Sequence, residues 1–224
     1  MRASRPIKMA AVAALIAVPL AVLVGGPGHA GGPSCLGQPV TVGGATNGPD
    51  TLIGTAGEDI INGLGGADTI KGLGDNDTLC GGGGGDTMNG GPGHDGVWGQ
   101  AGGDLLNGDT GQDGVFGGPG ADNAAGGAGE DGVFGGKGDD VLRGGPANDG
   151  VFGGPGGDDI NGGRGNDGLQ GETGNDTIRG GTGTDDVIGG PGANDFGAGG
   201  PGPGDFCEAA STENIGPGCE ITVL

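Results

Sequence analysis

The chain has 224 residues, of which 67 are Gly, 3% are aromatic and none is Tyr; its formal net charge is −21. That composition excludes an ordinary globular core, because too few large apolar side chains are present to offset the entropy of ordering the backbone. It also argues against a nucleic-acid partner, which a strongly acidic surface would repel, and it directs attention to internal repeats.

Residues 1–30 read as a secretory signal peptide. Arg2, Arg5 and Lys8 precede the apolar stretch Met9–Val24, and Gly28 and Ala30 supply the small residues that suit cleavage after Ala30. The stretch is short for a membrane span, so no span is expected in the mature, secreted chain. Without residues 1–30 the chain carries 29 acidic and 5 basic residues, a net charge of −24. Export permits disulfides. The four cysteines allow three full pairings; of these, Cys35 with Cys80 would tie the N-terminal segment to the rest, and Cys207 with Cys219 would close a short loop. Residues 31–44 are expected to form a cap or linker.

From residue 45 to residue 197 the sequence repeats every nine residues. The slots are Asp50, Asp59, Asp68, Asp77, Asp86, Asp95, Asp104, Asp113, Asp122, Asp131, Asp140, Asp149, Asp158, Asp167, Asp176 and Asp185, and the seventeenth is Asn194. Two residues after each slot stands an apolar residue, from Leu52, Ile61 and Ile70 to Ile178, Val187 and Phe196. Gly stands five residues before the slot in every repeat but the first, and two residues before it in all but the repeats that have Asp75 and Ala147. The consensus is GGxGxDxUx, with U apolar. Collagen would need Gly at every third position, which this pattern lacks, and disorder would need no fixed Asp and apolar slots.

The pattern predicts a six-residue turn followed by a three-residue strand. Glycines permit positive φ and close backbone approach in the turn, where Ala147 is expected to be strained and Asp75 less so. In the strand, U points one way and its neighbours the other. One repeat per turn cannot close a coil, whereas two can, giving strand, turn, strand, turn. Stacked carboxylates and turn carbonyls are hard oxygen donors suited to Ca²⁺.

The stretches "GGPGGDDIN", "GGRGNDGLQ" and "GETGNDTIR" resemble the nonapeptide repeats of the RTX, or haemolysin-type calcium-binding, family. The resemblance implies an all-β fold, a right-handed parallel β-roll (a solenoid) of about 17 repeats with two per turn. It implies multiple Ca²⁺ ions held between successive turns by the slot residues and turn carbonyls. The slots then form two columns, one running through Asp50, Asp68 and Asp86, the other through Asp59, Asp77 and Asp95, with room for about 15 ions at most. About 12 ions would cancel the charge of the mature chain. Because 17 inward side chains cannot offset the cost of ordering so Gly-rich a chain, folding is expected to depend on Ca²⁺ and to follow export. Family members commonly leave the cell by a C-terminal signal and carry a toxin or enzyme; here an N-terminal signal is expected instead, and neither a toxin nor an enzyme role is expected to carry over.

Residues 18 apart should lie on the same sheet, one rung above another. "DGVFGG" starts at Asp113, Asp131 and Asp149, and "DGVWGQ" at Asp95. Trp98, Phe116, Phe134 and Phe152 therefore form an outward column beside Gly96, Gly114, Gly132 and Gly150. The opposite outer face carries Lys71, Asn89, Asn107, Ala125, Arg143, Asn161 and Arg179. An exposed aromatic ladder suggests a surface for self-association or for a polysaccharide or cell-wall ligand; rings that merely brace neighbouring strands are the plainer alternative. Ala124 and Ala125 should narrow the interior. Residues 198–224 lose the repeat, and "CEITVL" reads as a closing strand.

Catalysis is not expected. His94 is the only His of the mature chain, Ser is limited to Ser34 and Ser211, and HExxH is absent. Ice binding would want a regular Thr or Asn row, and the turn position three before the slot has Thr only at Thr110, Thr173 and Thr182. The sequence thus reads as a secreted calcium-binding β-roll acting as a structural or interaction module, with a carbohydrate-binding module as the alternative.

Overall fold

The computed structural model describes residues 34–191, 195–202, 204–208 and 216–222. Residues 1–30, read above as a signal peptide, and Asn194 lie outside them. Alternate repeats enter two parallel sheets. Among the described residues one sheet has ten strands, from Ile60–Asn62 at one end to Cys219–Thr222 at the other, and includes Gly96–Ala101, Gly114–Pro119, Gly132–Lys137 and Gly150–Pro155. It is called here the aromatic sheet. The other, the polar sheet, has nine strands, from Thr51–Ile53 to Phe196–Ala198. Registers step by 18, as in Val115↔Val133 and Leu142↔Ile160. This is the parallel β-roll, two repeats to a turn.

The period-two strand dictates the packing. Leu79, Val97, Val115 and Val133 from one sheet meet Met88, Leu106, Ala124 and Leu142 from the other in a single buried core. Their neighbours on either side point outward. Ala124 faces in; Ala125 does not, because it stands on the outer face in register with Asn107 and Arg143, so only one alanine narrows the interior.

Most strands are six residues rather than three. Pairing resumes in the first half of the turn, as in Gly82↔Gln100 and Gly118↔Gly136. The Gly-rich backbone comes close enough to the next rung to satisfy its own amides, which a turn packed between neighbours could not otherwise do.

Both ends depart from the repeat. At the start, Ser34–Cys35 and Gln38–Pro39 form an antiparallel hairpin. The Cys35–Cys80 disulfide, with 5.8 Å between Cα atoms, fastens that hairpin to the aromatic sheet. Val42 bridges to Ile61 in parallel and, with Ala45, packs against the core. At the far end, Cys219–Thr222 pairs in parallel with Asp205–Glu208, so "CEIT" is the closing strand. Cys207 is buried and disulfide-bonded; the side chain of Cys219 lies outside the described residues.

The inward position of the last polar-sheet strand is Gly197, paired with Ile178, while Phe196 is 41% exposed. The expectation that Phe196 points inward fails because the last repeat is one residue longer than nine. The next inward residue, Cys207, follows a second lengthened repeat.

Candidate calcium ladders

Two glycines of each turn shape the site. Two residues before the slot, φ is positive in most turns, for example 151° at Gly120, and a Cβ there would stand 1.5 Å from the carbonyl oxygen of Gly102. Where Gly is missing, Asp75 and Ala147 still adopt φ of 70° and 96°, so the expected strain at Ala147 is present. Five residues before the slot, the requirement is space. A Cβ on Gly135 would stand 2.4 Å from Asp140 Oδ2 and 2.7 Å from the carbonyl oxygen of Gly153 one rung on. A carboxylate oxygen and a carbonyl oxygen thus converge on a bare glycine face, turn after turn.

The slot aspartates stack in the two expected columns. The backbone amide of each donates to Oδ1 of the aspartate one rung on: Asp104 to Asp122 and Asp122 to Asp140, each at 2.8 Å. Each slot carbonyl accepts from the strand above, as in Asn123 N to Asp104 O at 2.8 Å. That leaves Oδ2. From Asp68 onward, sixteen of these oxygens among the described residues are buried without a hydrogen-bond partner. A buried, unpaired carboxylate oxygen is costly, and here it recurs in every turn.

The electrostatics follow. Burial pushes the Asp149 carboxyl up to about 8; the Asp131 amide bond opposes this, and the Asp167 and Asp131 carboxylates reinforce it. Burial likewise lifts Asp113, Asp158 and Asp167 to about 7, and Asp77, Asp95, Asp122, Asp131 and Asp185 to about 6. Neutrality or a cation is what these sites call for.

The first two turns differ. Asp50 Oδ2 accepts from the Thr46 amide at 2.6 Å and its hydroxyl at 2.9 Å. Asp59 Oδ2 accepts from the Thr55 hydroxyl at 3.0 Å and also from the Thr55 amide. Thr41, in the N-terminal cap, donates to Asp59 Oδ1 at 2.9 Å. Burial acts on Asp59 too, but the Thr55 amide and the Thr41 and Thr55 hydroxyls outweigh it and hold the carboxyl below its usual value. Thr46 and Thr55 stand where later turns place a residue of positive φ, from Leu64 at 72° to Gly190 at 97°, and neither Thr has positive φ. Their amides turn inward to the carboxylate instead.

The columns do not end where strict nine-residue spacing places them. Asp195 and Asp205 continue them: Asp195 Oδ1 accepts from the Asp176 amide and Asp205 Oδ1 from the Asp185 amide, each at 3.1 Å. The sequence signal was the pair Asn194-Asp195, one residue out of phase.

These oxygens suit calcium. The donors are hard, anionic and stacked. Among the described residues no three His, Cys, Asp or Glu side chains converge on one point, so an ion here would draw much of its shell from backbone carbonyls such as that of Gly153. The ion would supply the positive charge that the orphaned Oδ2 atoms lack.

His94 serves the scaffold: its Nδ1 accepts from the Gln112 amide at 2.9 Å and its own amide donates to Asn76 Oδ1 at 2.7 Å.

Trp98, Phe116, Phe134 and Phe152 form one outward column, with centroids 5.3, 4.8 and 5.0 Å apart and planes within 4°. Parallel rings that close cannot lie edge to edge; they stack, and each covers its neighbour's face. The rings also lean back over the strand. A Cβ on Gly96 would stand 2.2 Å from the Trp98 ring, and one on Gly114 3.1 Å from Phe116. This is why Gly precedes Val-Trp and Val-Phe: the ring needs the room.

A parallel β-roll whose turns present two ladders of buried carboxylate oxygen defines a class of repeat proteins built around cations. The chain belongs to the RTX calcium-binding nonapeptide repeat family. The model of that repeat (4 copies) matches residues 44–79, 81–115, 116–151, 134–169 and 169–196. No curated protein matches the chain.

Proposed function

We propose that the protein is exported through the signal peptide at residues 1–30, that residues 31–224 fold as Ca²⁺ enters the turns, and that the roll then acts as a structural or interaction module rather than an enzyme. The supporting observation is the sixteen buried Oδ2 atoms without a partner. Without ions the turns leave acidic oxygens desolvated and close to one another. With ions the same oxygens become a ligand set, and binding free energy becomes folding free energy. Calcium is scarce inside cells and abundant outside, so folding would follow export.

The aromatic column fits a bracing role best. A saccharide stacks on a ring face, and only the two outermost faces of this stack are not covered by another ring. Self-association through ring edges is the remaining form of the interaction reading. The calcium-loaded Trp98→Ala/Phe134→Ala variant is expected to keep the parent's mass in solution and its retention on cell-wall polysaccharide, while losing thermal stability. A change in mass or retention would restore the docking reading.

Far-UV circular dichroism during a Ca²⁺ titration, with Mg²⁺ as control, tests the main proposal. A sharp, Ca²⁺-specific transition from coil to β is expected. A spectrum indifferent to Ca²⁺ would end the proposal that the metal builds the fold. N-terminal sequencing of the exported protein is expected to begin at Gly31.

A further inference from the structure

We propose that the roll completes two more calcium sites beyond the regular nonapeptides, through Asp195 and Asp205, where the spacing lengthens to ten residues. Strict spacing points to Asn194, whose amide oxygen lacks the negative charge of a carboxylate. The structure instead brings a full carboxylate into each column. Asp195 stands above Asp176 and Asp205 above Asp185, each receiving the lower amide on Oδ1. Both residues are buried, at 4% and 0% exposure, and the Oδ2 of each has no partner.

A Cβ on Gly189 would stand 3.0 Å from Asp195 Oδ2, and one on Gly199 2.7 Å from Asp205 Oδ2. The turns that carry these two aspartates also present their carbonyl oxygens to the carboxylates one rung below, as interior turns do. A Cβ on Gly171 would stand 2.4 Å from Asp176 Oδ2 and 2.6 Å from the Gly189 carbonyl oxygen. On Gly180 it would stand 2.4 Å from both Asp185 Oδ2 and the Gly199 carbonyl oxygen. The corresponding interior distances at Gly135 are 2.4 and 2.7 Å. The extra residue in each turn therefore leaves the convergence of carboxylate and carbonyl intact. Asp205 lies beyond residue 196, where the family match stops, so the ladder outlasts the motif that announces it. One detail is looser: the amide bonds to Asp195 and Asp205 are 3.1 Å, against 2.8 Å at Asp122.

This inference rests on the proposal that the ladders hold Ca²⁺, and one experiment separates the two. Native mass spectrometry of the full chain at saturating Ca²⁺ counts bound ions. The Asp195→Asn/Asp205→Asn variant, which keeps an acceptor for each lower amide, is expected to bind two fewer ions than the parent. Each single variant should bind one fewer, which keeps the test open if the double variant does not fold. Asn194→Ala should bind as many as the parent. A parent that binds many ions and a double variant that binds the same number would overturn this inference alone. Loss of an ion from Asn194→Ala but not from Asp195→Asn would also overturn it. A parent that binds none would sink both readings.

Discussion

The turns closed by Asp50 and Asp59 and the turn closed by Asp122 use the same residue at the same spacing, yet their outer carboxylate oxygens meet opposite fates. In the first two turns Thr46 and Thr55 deliver an amide and a hydroxyl to Oδ2. At Asp122 the residue four before the slot is Gly118, whose φ is 113°, and Oδ2 is orphaned. The lesson is that the slot Asp alone does not fix the fate of Oδ2. Where the residue four earlier is Thr, its amide and hydroxyl reach that oxygen; where it has positive φ, the oxygen is left without a protein partner.

The largest test of this contrast is calcium withdrawal. Hydrogen exchange during a chelator titration is expected to lose protection across Leu142–Val187 before Thr41–Leu79, where the Cys35–Cys80 bond and the three threonines hold the chain. Simultaneous loss would erase the distinction.

Acid should act next in size. The raised carboxyls of the interior turns, about 8 at Asp149 and about 6 to 7 at many others, bind protons in the roll that the unfolded chain releases. Their contribution to calcium-free stability is fully present below the ordinary carboxylate value of 3.8 and lost as pH rises through about 6 to 8. Asp59, depressed below 3.8, has the opposite sign: its contribution is present above that value and lost as pH falls through its lowered one. Circular dichroism in chelator should therefore show more β structure at pH 5 than at pH 8, while Ca²⁺ affinity falls over the same range because protons compete. More β structure at pH 8 would contradict this account.

Single substitutions come third. Asp122→Ala strands the buried Asp104 amide and removes an ion ligand; the amide alone is worth about 1–3 kcal/mol, and at least one ion should be lost. Asp50→Ala acts on a partly exposed turn and should cost about 1 kcal/mol or less, with the ion count unchanged. Thermal melting beside an ion count distinguishes them, and equal ion loss would show that Asp50 is a site after all. Thr55→Gly should have the smallest effect. It restores the residue type of later turns, so the carbon-13 shift of the Asp59 carboxyl should titrate at higher pH than in the parent.

Much of this was legible in the sequence because its signals are periodic. Register, inward rows and the two columns follow from counting nines and eighteens; the closing strand follows from the alternation in "CEITVL". What counting missed lay in departures from the count. Thr46 and Thr55 were visible as exceptions at the second turn position, but their effect depends on φ, which residue identity leaves open for Leu64 and Gln100 as well. The shift from Asn194 to Asp195 needs one inserted residue, and a fixed step cannot register it. The ring stack was readable as a column, but not as covered faces, because the tilt of each ring follows from its neighbour and from Gly96 or Gly114 beneath it.

Because successive repeats alternate between the two sheets, the chain can grow by duplication in two unequal ways. Copying 18 residues lengthens the rod by one strand spacing, about 4.8 Å, and leaves each outer row in place. Copying nine exchanges the sheets for everything downstream. Inserted between Phe116 and Phe134, nine extra residues would keep every Asp in a slot and every apolar residue inside, yet move Phe134 and Phe152 to the side opposite Trp98 and Phe116. The interior is indifferent to parity and the coat is not, so only a copy of 18 residues would keep the four rings on one face.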